Sequence, residues 1–268
     1  MLRKLMKYEF QATARTMLPM TALCIVLSVM MSFVFRYGET VSNPIVSMLF
    51  SFLTILFVLS LCAVIIVVLV LMINRFRSNI LSDEGYITLT LPVSIHKVIW
   101  SKIIVSSVWF LLSMLVVLPL CLLVMFAQVG SLGNLASFIR ELWNSMTAYY
   151  ALNGTAIIIE GLVAGFFSYA SFCLMAYASM AIGYSRNRYK GILSLGAFLA
   201  LAFATNLFLV LATLPFDIDL ILSNLALSLG VMGMVHVIFL VVMVISLIAC
   251  AVYYFITTYM LKHKLNIE

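Results

Sequence analysis

Charged side chains are scarce in this chain. Asp, Glu, Lys and Arg make up 9% of its 268 residues, whereas hydrophobic residues make up 65%. Globular proteins have about 25% charged and about 45–50% apolar residues. So few charges cannot cover the surface of a water-soluble fold of this length, and the surplus apolar surface must face lipid. The same composition excludes a disordered chain.

Cysteine is also sparse, and its spacing excludes a disulfide or metal framework. Every cysteine lies inside an apolar run, far from the next one along the chain, and we therefore expect small core residues. The five positions are Cys24, Cys62, Cys121, Cys173 and Cys250.

Sequence motifs of common enzymes are missing as well. The chain has no GxxxxGK[ST] phosphate-binding loop, no HExxH zinc motif and no GxSxG nucleophile motif. Its three histidines, His96, His236 and His263, lack the spacing of metal ligands. We predict that the chain is not an enzyme and binds no cofactor or metal of its own.

Long apolar runs are what the chain does contain. A helix needs about 20 apolar residues to cross a bilayer, and the runs lack the alternation of barrel strands. They predict an all-α polytopic membrane protein with six spans in a domain covering residues 17–268. The spans lie at about Met17–Phe35, Ile45–Asn74, Ile103–Ala127, Leu152–Gly183, Ile192–Leu214 and Val231–Tyr259.

The basic residues predict the orientation of these spans. Of the 15 lysines and arginines, 13 lie before the first span, after the last, or in the connections after spans 2 and 4. Only Arg36 and Arg140 lie on the opposite side. Because cytoplasmic connections are rich in Lys and Arg, both termini are predicted to be cytoplasmic. The net charge of +6 then serves orientation and headgroup contact, and we expect no nucleic-acid partner.

Residues 1–16 are predicted to form an amphipathic helix in the inner headgroup layer. Its polar arc holds Arg3, Lys4, Lys7, Gln11 and Arg15, and its apolar arc holds Leu2, Leu5, Met6 and Phe10. Glu9 breaks the pattern because it falls within the apolar arc. Two explanations remain open: Glu9 reaches water or pairs with a nearby arginine, or this face contacts another protein.

The connection after the second span, Arg75–Lys102, is the longest predicted cytoplasmic segment. Pro92 should end any helix that enters it, and Ser94 can cap a new helix that leads into the third span. Residues 80–91 are moderately apolar but too short to span. Their apolar side chains must be covered either by the membrane surface or by a docking partner. On the outer side, Pro215–Gly230 is predicted to form a short helix in the outer leaflet.

A few polar and small residues inside the spans are candidates for function. Glu160 and His236 lie at similar depths in the fourth and sixth spans, so they could pair for structure or handle a substrate or proton. Asn206 is predicted to form a hydrogen bond between helices. Gly161 and Gly165 have the GxxxG spacing that allows close helix packing.

Two stretches carry a resemblance to a known family: Lys7-Tyr8-Glu9-Phe10, and the run from Asp83-Glu84-Gly85-Tyr86 to Ser94. With six spans and an amphipathic amino-terminal helix, the whole chain resembles the membrane subunit of bacterial ATP-binding-cassette (ABC) transporters of the type-2 exporter class. The resemblance implies that residues 1–16 form a connecting helix and that the second connection contains a cytoplasmic coupling helix for a separate ATPase. The implied coupling residues are Leu81, Asp83, Glu84, Gly85, Tyr86, Ile87 and Leu89.

The function implied by this resemblance is that of a permease subunit in the bacterial plasma membrane. It would form an export path with a second permease subunit, identical or paralogous, while ATP and Mg bind the partner ATPase. An amphipathic or hydrophobic cargo is expected because no charged cavity is visible. Two alternatives remain: a proton-coupled transporter or channel using Glu160 and His236, and a non-transporting immunity or sensor protein.

Overall fold

The computed structural model describes residues 2–37, 44–81, 94–128, 136–141, 143–144, 155–186 and 188–263. All regular structure within these ranges is helical. Of the predicted coupling residues, only Leu81 is included. Asp83, Glu84, Gly85, Tyr86, Ile87 and Leu89 lie outside the described residues.

Six long helices confirm the all-α prediction, and each contains a stretch long and apolar enough to cross a membrane. This is the character of a polytopic, membrane-embedded protein. A π-helical turn, Arg77–Leu81, continues the second helix. The helices are α1 (Leu2–Tyr37), α2 (Pro44–Phe76), α3 (Ile95–Gln128), α4 (Thr155–Gly183), α5 (Lys190–Thr213) and α6 (Ile218–His263).

Helix α1 extends across the predicted boundary between residues 16 and 17. The helix runs without a break from Leu2 to Tyr37 and includes Pro19. Its buried positions, Thr13, Met17, Cys24, Ser28 and Met31, recur at helical spacing on both sides of that boundary. Because the same face packs against the bundle throughout, the amphipathic segment is the first part of the first spanning helix.

Helix α6 contains a kink at Gly230. The backbone there has φ 70° and ψ 171°, a conformation that residues with a Cβ rarely adopt. The kink separates a short apolar helix, Leu220–Gly230, from the spanning part of α6. This short helix matches the helix predicted within Pro215–Gly230.

The bundle consists of two groups of three helices. Helix α1 packs mainly on α3 and α2, whereas α4 packs mainly on α6 and α5. The groups meet where α4 contacts α3 and α2, and the stacked rings of Phe76 and Tyr177 lie there with centroids 4.0 Å apart. Most of the core lies near this contact.

One end of the bundle brings together the start of α1, the end of α2, the start of α3 and the end of α6. Glu9 of α1 and Lys262 of α6 both bond to residues in the first turns of α3. We call this the basic end, because Arg75, Lys97 and Lys102 lie there too. The beginning of α1 and the end of α6 thus lie at the same end of the bundle.

Candidate functional site

A buried ion pair lies at the basic end. Lys102 Nζ is 2.7 Å from Glu9 Oε1, and their side chains are only 3% and 13% exposed. Asn79, in the π-helical turn, donates a second hydrogen bond to the same oxygen at 3.1 Å. The arginine partner considered for Glu9 is therefore wrong: the partner is a lysine from the third helix.

The Lys102 ammonium also reaches the end of α2. It donates to the backbone carbonyl of Arg75 at 3.1 Å. Burial of a charge is costly unless the charge is paired and hydrogen-bonded, and Lys102 has both kinds of partner. One ammonium therefore ties together α1, α2 and α3.

Aromatic contacts hold this ion pair in place. Phe10 stacks on Trp109 with ring centroids 4.7 Å apart, and the Trp109 indole N–H donates to the Thr13 hydroxyl at 2.7 Å. A cavity of about 30 Å³ lies beside them, lined by Glu9 and Lys102 among others. It can accommodate a water molecule but not a drug-sized cargo, which needs roughly 300 Å³ or more. The ion pair thus joins α1, α2 and α3, and the cavity beside it is too small for such a cargo.

A second polar contact at the basic end joins α3 to α6. His96 Nδ1 lies 2.5 Å from the Tyr254 hydroxyl, and Lys262 Nζ lies 3.3 Å from His96 Nε2. Because an ammonium can only donate, Nε2 accepts and Nδ1 carries the proton toward Tyr254. The sequence offers no signal for this site, since its partners are more than 150 positions apart.

The structure brings Glu160 and His236 together, at the other end of the bundle. Glu160 Oε2 lies 2.5 Å from His236 Nδ1, with side chains 27% and 36% exposed. Further along the same interface, the Ser168 and Ser246 hydroxyls are 3.1 Å apart. Polar contacts therefore recur along the α4–α6 interface. The handling of a substrate or proton by these two residues stays a prediction.

Within the described part of the chain, Asn206 does not form the predicted bond between helices. Its amide donates to the carbonyl of Ala202 in its own helix at 2.8 Å, on an exposed face of α5. The preceding residue makes the interhelical contact instead, because the Thr205 hydroxyl lies 2.9 Å from the Tyr253 hydroxyl of α6. Neighbouring side chains of a helix point about 100° apart around its axis. Because the span is apolar all round, its composition does not show which face packs against α6.

Among the described helices, Gly161 and Gly165 do not mark a close approach. A Cβ on Gly161 would meet only the Phe239 ring at 3.6 Å, and one on Gly165 would meet nothing within 4 Å. The close approach occurs at Gly183 instead. There a Cβ would lie 2.6 Å from the Cα of Ser194 in α5.

Leu81 ends the π-helical turn and packs partly buried against the main core. The segment that follows it, residues 82–93, is not described, and α3 then begins at Ile95. The described residues contain no group of three His, Cys, Asp or Glu side chains that could hold a metal ion.

Comparisons with known proteins do not assign a family. No family model matches the chain, and neither a curated protein nor a solved structure matches it.

Proposed function

We propose that this chain is the permease subunit of a bacterial ABC exporter of the type-2 class. In this proposal it lies in the plasma membrane with both termini in the cytoplasm. It pairs with a second permease subunit and couples to separate ATPase subunits that bind ATP and Mg. Its own residues hydrolyse nothing.

The observation that carries the proposal is the connection made by the Glu9 carboxylate. The proposed coupling residues begin at Leu81, the last residue of the turn that contains Asn79, and precede the helix that contains Lys102. The side chains of Asn79 and Lys102 both bond to Glu9. A displacement of this segment would therefore move α1, α2 and α3 together, and coupling to an ATPase requires such a concerted movement.

The other half of the bundle supports the pairing with a second permease. Helix α5 has no buried residue, and many large apolar side chains of α5 and α6 are exposed. A groove of about 370 Å³ runs between them, with walls that include Leu201, Phe208 and Ile248. The groove has the size and apolar lining of a site for an amphipathic or hydrophobic cargo, and the exposed faces of α5 and α6 leave area for a second subunit.

Tyr86 provides the sharpest test of the coupling proposal. Tyrosine is enriched among residues that dominate binding energy, and Gly85 beside it leaves space for insertion into a pocket. We expect Tyr86→Ala to insert normally but to weaken ATPase binding by roughly 2 kcal/mol or more. The measurement is co-purification of an ATP-hydrolysing subunit with the tagged chain from its own host, together with transport.

The matched control is Tyr149→Ala, which makes the same change on the predicted opposite side of the membrane. It should leave the ATPase bound. Full ATPase retention in Tyr86→Ala would show that Tyr86 is not an anchor. An intact complex after deletion of residues 83–91 would refute the coupling role of the whole segment.

The Glu160–His236 contact favours a second candidate, a proton-coupled transporter. Glu160→Gln keeps the size and an oxygen acceptor but cannot ionise, whereas Glu160→Leu removes the acceptor. If the pair carries protons, Glu160→Gln should abolish uptake driven by a pH gradient while the protein folds normally. If the pair is structural, only Glu160→Leu should impair assembly. Unchanged expression and transport in both variants would exclude either role.

A further inference from the structure

An open groove lies between the first turns of α1 and the first half of α3. Its volume is about 460 Å³, within the range of small-ligand sites. It is lined by Arg3, Met6, Lys7, Phe10 and Gln11 from α1 and by Ile104, Val105 and Val108 from α3.

The lining is basic toward the helix start and apolar further in. Arg3 and Lys7 are exposed and one helical turn apart, about 6 Å along the axis. The opposite wall consists of Ile104, Val105 and Val108, within the part of α3 that is apolar enough to cross a membrane. Phe10, stacked on Trp109, closes the inner side. The groove therefore suits a molecule with an anionic head and an apolar tail.

The positive charge of this groove is not neutralised by the described part of the chain. Neither Arg3 nor Lys7 forms an ion pair there; the side chains of Glu9 and Glu160 lie against Lys102 and His236 instead. Glu9, the nearest carboxylate along α1, lines the small neighbouring cavity, where it is paired with Lys102. Among the described residues, an incoming anion would meet two basic groups, and the nearest carboxylate along α1, that of Glu9, is already paired with Lys102.

We propose that this groove binds one anionic phospholipid molecule, independently of the proposed function. Its phosphate lies against Arg3 and Lys7, and one acyl chain lies along Ile104, Val105 and Val108. A soluble anion would use only the charges, whereas a phospholipid uses both the charges and the apolar wall. Basic pockets between spanning helices are suited to such headgroups, and each basic residue contributes about a five-fold gain in affinity.

Native mass spectrometry of the full chain tests this site, with phosphatidylglycerol and phosphatidylcholine as probes. The wild-type chain should retain phosphatidylglycerol in preference to phosphatidylcholine. The double variant R3Q/K7Q should bind phosphatidylglycerol about 25-fold more weakly. The matched control is K4Q/R15Q, which removes the same charge from exposed positions of α1 outside the groove lining. If K4Q/R15Q lost as much phosphatidylglycerol binding as R3Q/K7Q, the proposal would be wrong. The lipid would then be attracted by the charge of the whole surface and not by this groove.

A second pair of variants tests the acyl-chain part of the proposal. Val108→Phe fills the groove without a change of charge and should abolish selective retention of phosphatidylglycerol. Leu115→Phe, on an exposed face of the same helix, should leave it unchanged. Retention by Val108→Phe, or displacement of the lipid by soluble glycerol phosphate at equal concentration, would overturn the lipid assignment.

Discussion

Glu9 is the residue on which the packing of the basic end depends most directly. It occupies the apolar arc of an amphipathic segment, where a carboxylate would be costly without a partner. Lys102 supplies the opposite charge at 2.7 Å, and Asn79 supplies a further donor. The exception to the helical pattern is thus a contact to another helix.

Removal of either member of this ion pair should destabilise the fold. Lys102→Met leaves the Glu9 carboxylate largely buried without its cation, and loss of one partner of a buried pair costs about 3–5 kcal/mol. Thermal unfolding in detergent, followed by tryptophan fluorescence, should show a clearly lower midpoint. The double variant Glu9→Gln/Lys102→Met should recover part of the loss, because neither charge remains.

Lys97→Met is the control for that measurement, since Lys97 is exposed on the same helix. It should change the midpoint little. Equal midpoints for Lys97→Met and Lys102→Met would show that the ion pair does not stabilise the protein.

At the scale of elements, the turn between α4 and α5 sets how closely these two helices approach. Gly183 ends α4, and its backbone lies against the backbone of Ser194 in the second turn of α5. Tyr189, just before α5, adopts a left-handed conformation with φ 57°. The chain therefore reverses direction within a few residues, and this requires a position without a Cβ.

Gly183→Ala should force α4 and α5 apart. The new methyl group would lie 2.6 Å from the Cα of Ser194, and backbone cannot yield as a flexible side chain can. Overpacking of this kind costs typically 1–3 kcal/mol or more. Monodisperse yield and the thermal midpoint should both fall.

Gly191→Ala provides the comparison, because a Cβ at Gly191 meets nothing within 4 Å. Alanine should there preserve or slightly raise stability through its higher helix propensity. If Gly183→Ala were as stable as Gly191→Ala, the close approach of Gly183 to Ser194 would be contradicted.

At the scale of the whole molecule, the core is distributed unevenly. Helices α1 to α4 supply most of the buried residues, whereas α5 supplies none. The first turns of α1 and the last turns of α6 meet at the basic end through the start of α3. This common end agrees with an even number of spans, and the charge asymmetry predicts that it faces the cytoplasm.

Cysteine labelling from outside the cell tests that orientation. In a variant without the five native cysteines, an impermeant maleimide should label Ser131→Cys and Ser42→Cys. It should not label Ser78→Cys or Ser185→Cys in intact cells, although both should react after the membrane is opened. Labelling of Ser78→Cys in intact cells would reverse the topology.

Features that depend only on residues close together in the sequence could be predicted from it. The six spanning helices follow from the lengths of the apolar runs, because every backbone polar group must be satisfied within the helix itself in lipid. The short helix before the sixth span was predicted because Pro215–Gly230 is too apolar for a solvated loop. The continuity of α1 across residues 16 and 17 was not predicted. The apolar pattern changes at residue 17, whereas the face of the helix that packs on the bundle stays the same.

Contacts between distant residues were decided by the tertiary structure. Glu160 and His236 could be matched by depth, but Glu9 and Lys102 are 93 positions apart and lie in helices of very different composition. Thr205 rather than Asn206 contacts α6, and Gly183 rather than Gly161 or Gly165 marks a close approach. An apolar composition favours insertion of a helix into lipid but does not fix the rotation of the helix about its own axis. Only packing against neighbouring helices selects the rotation, and with it the side chains that meet.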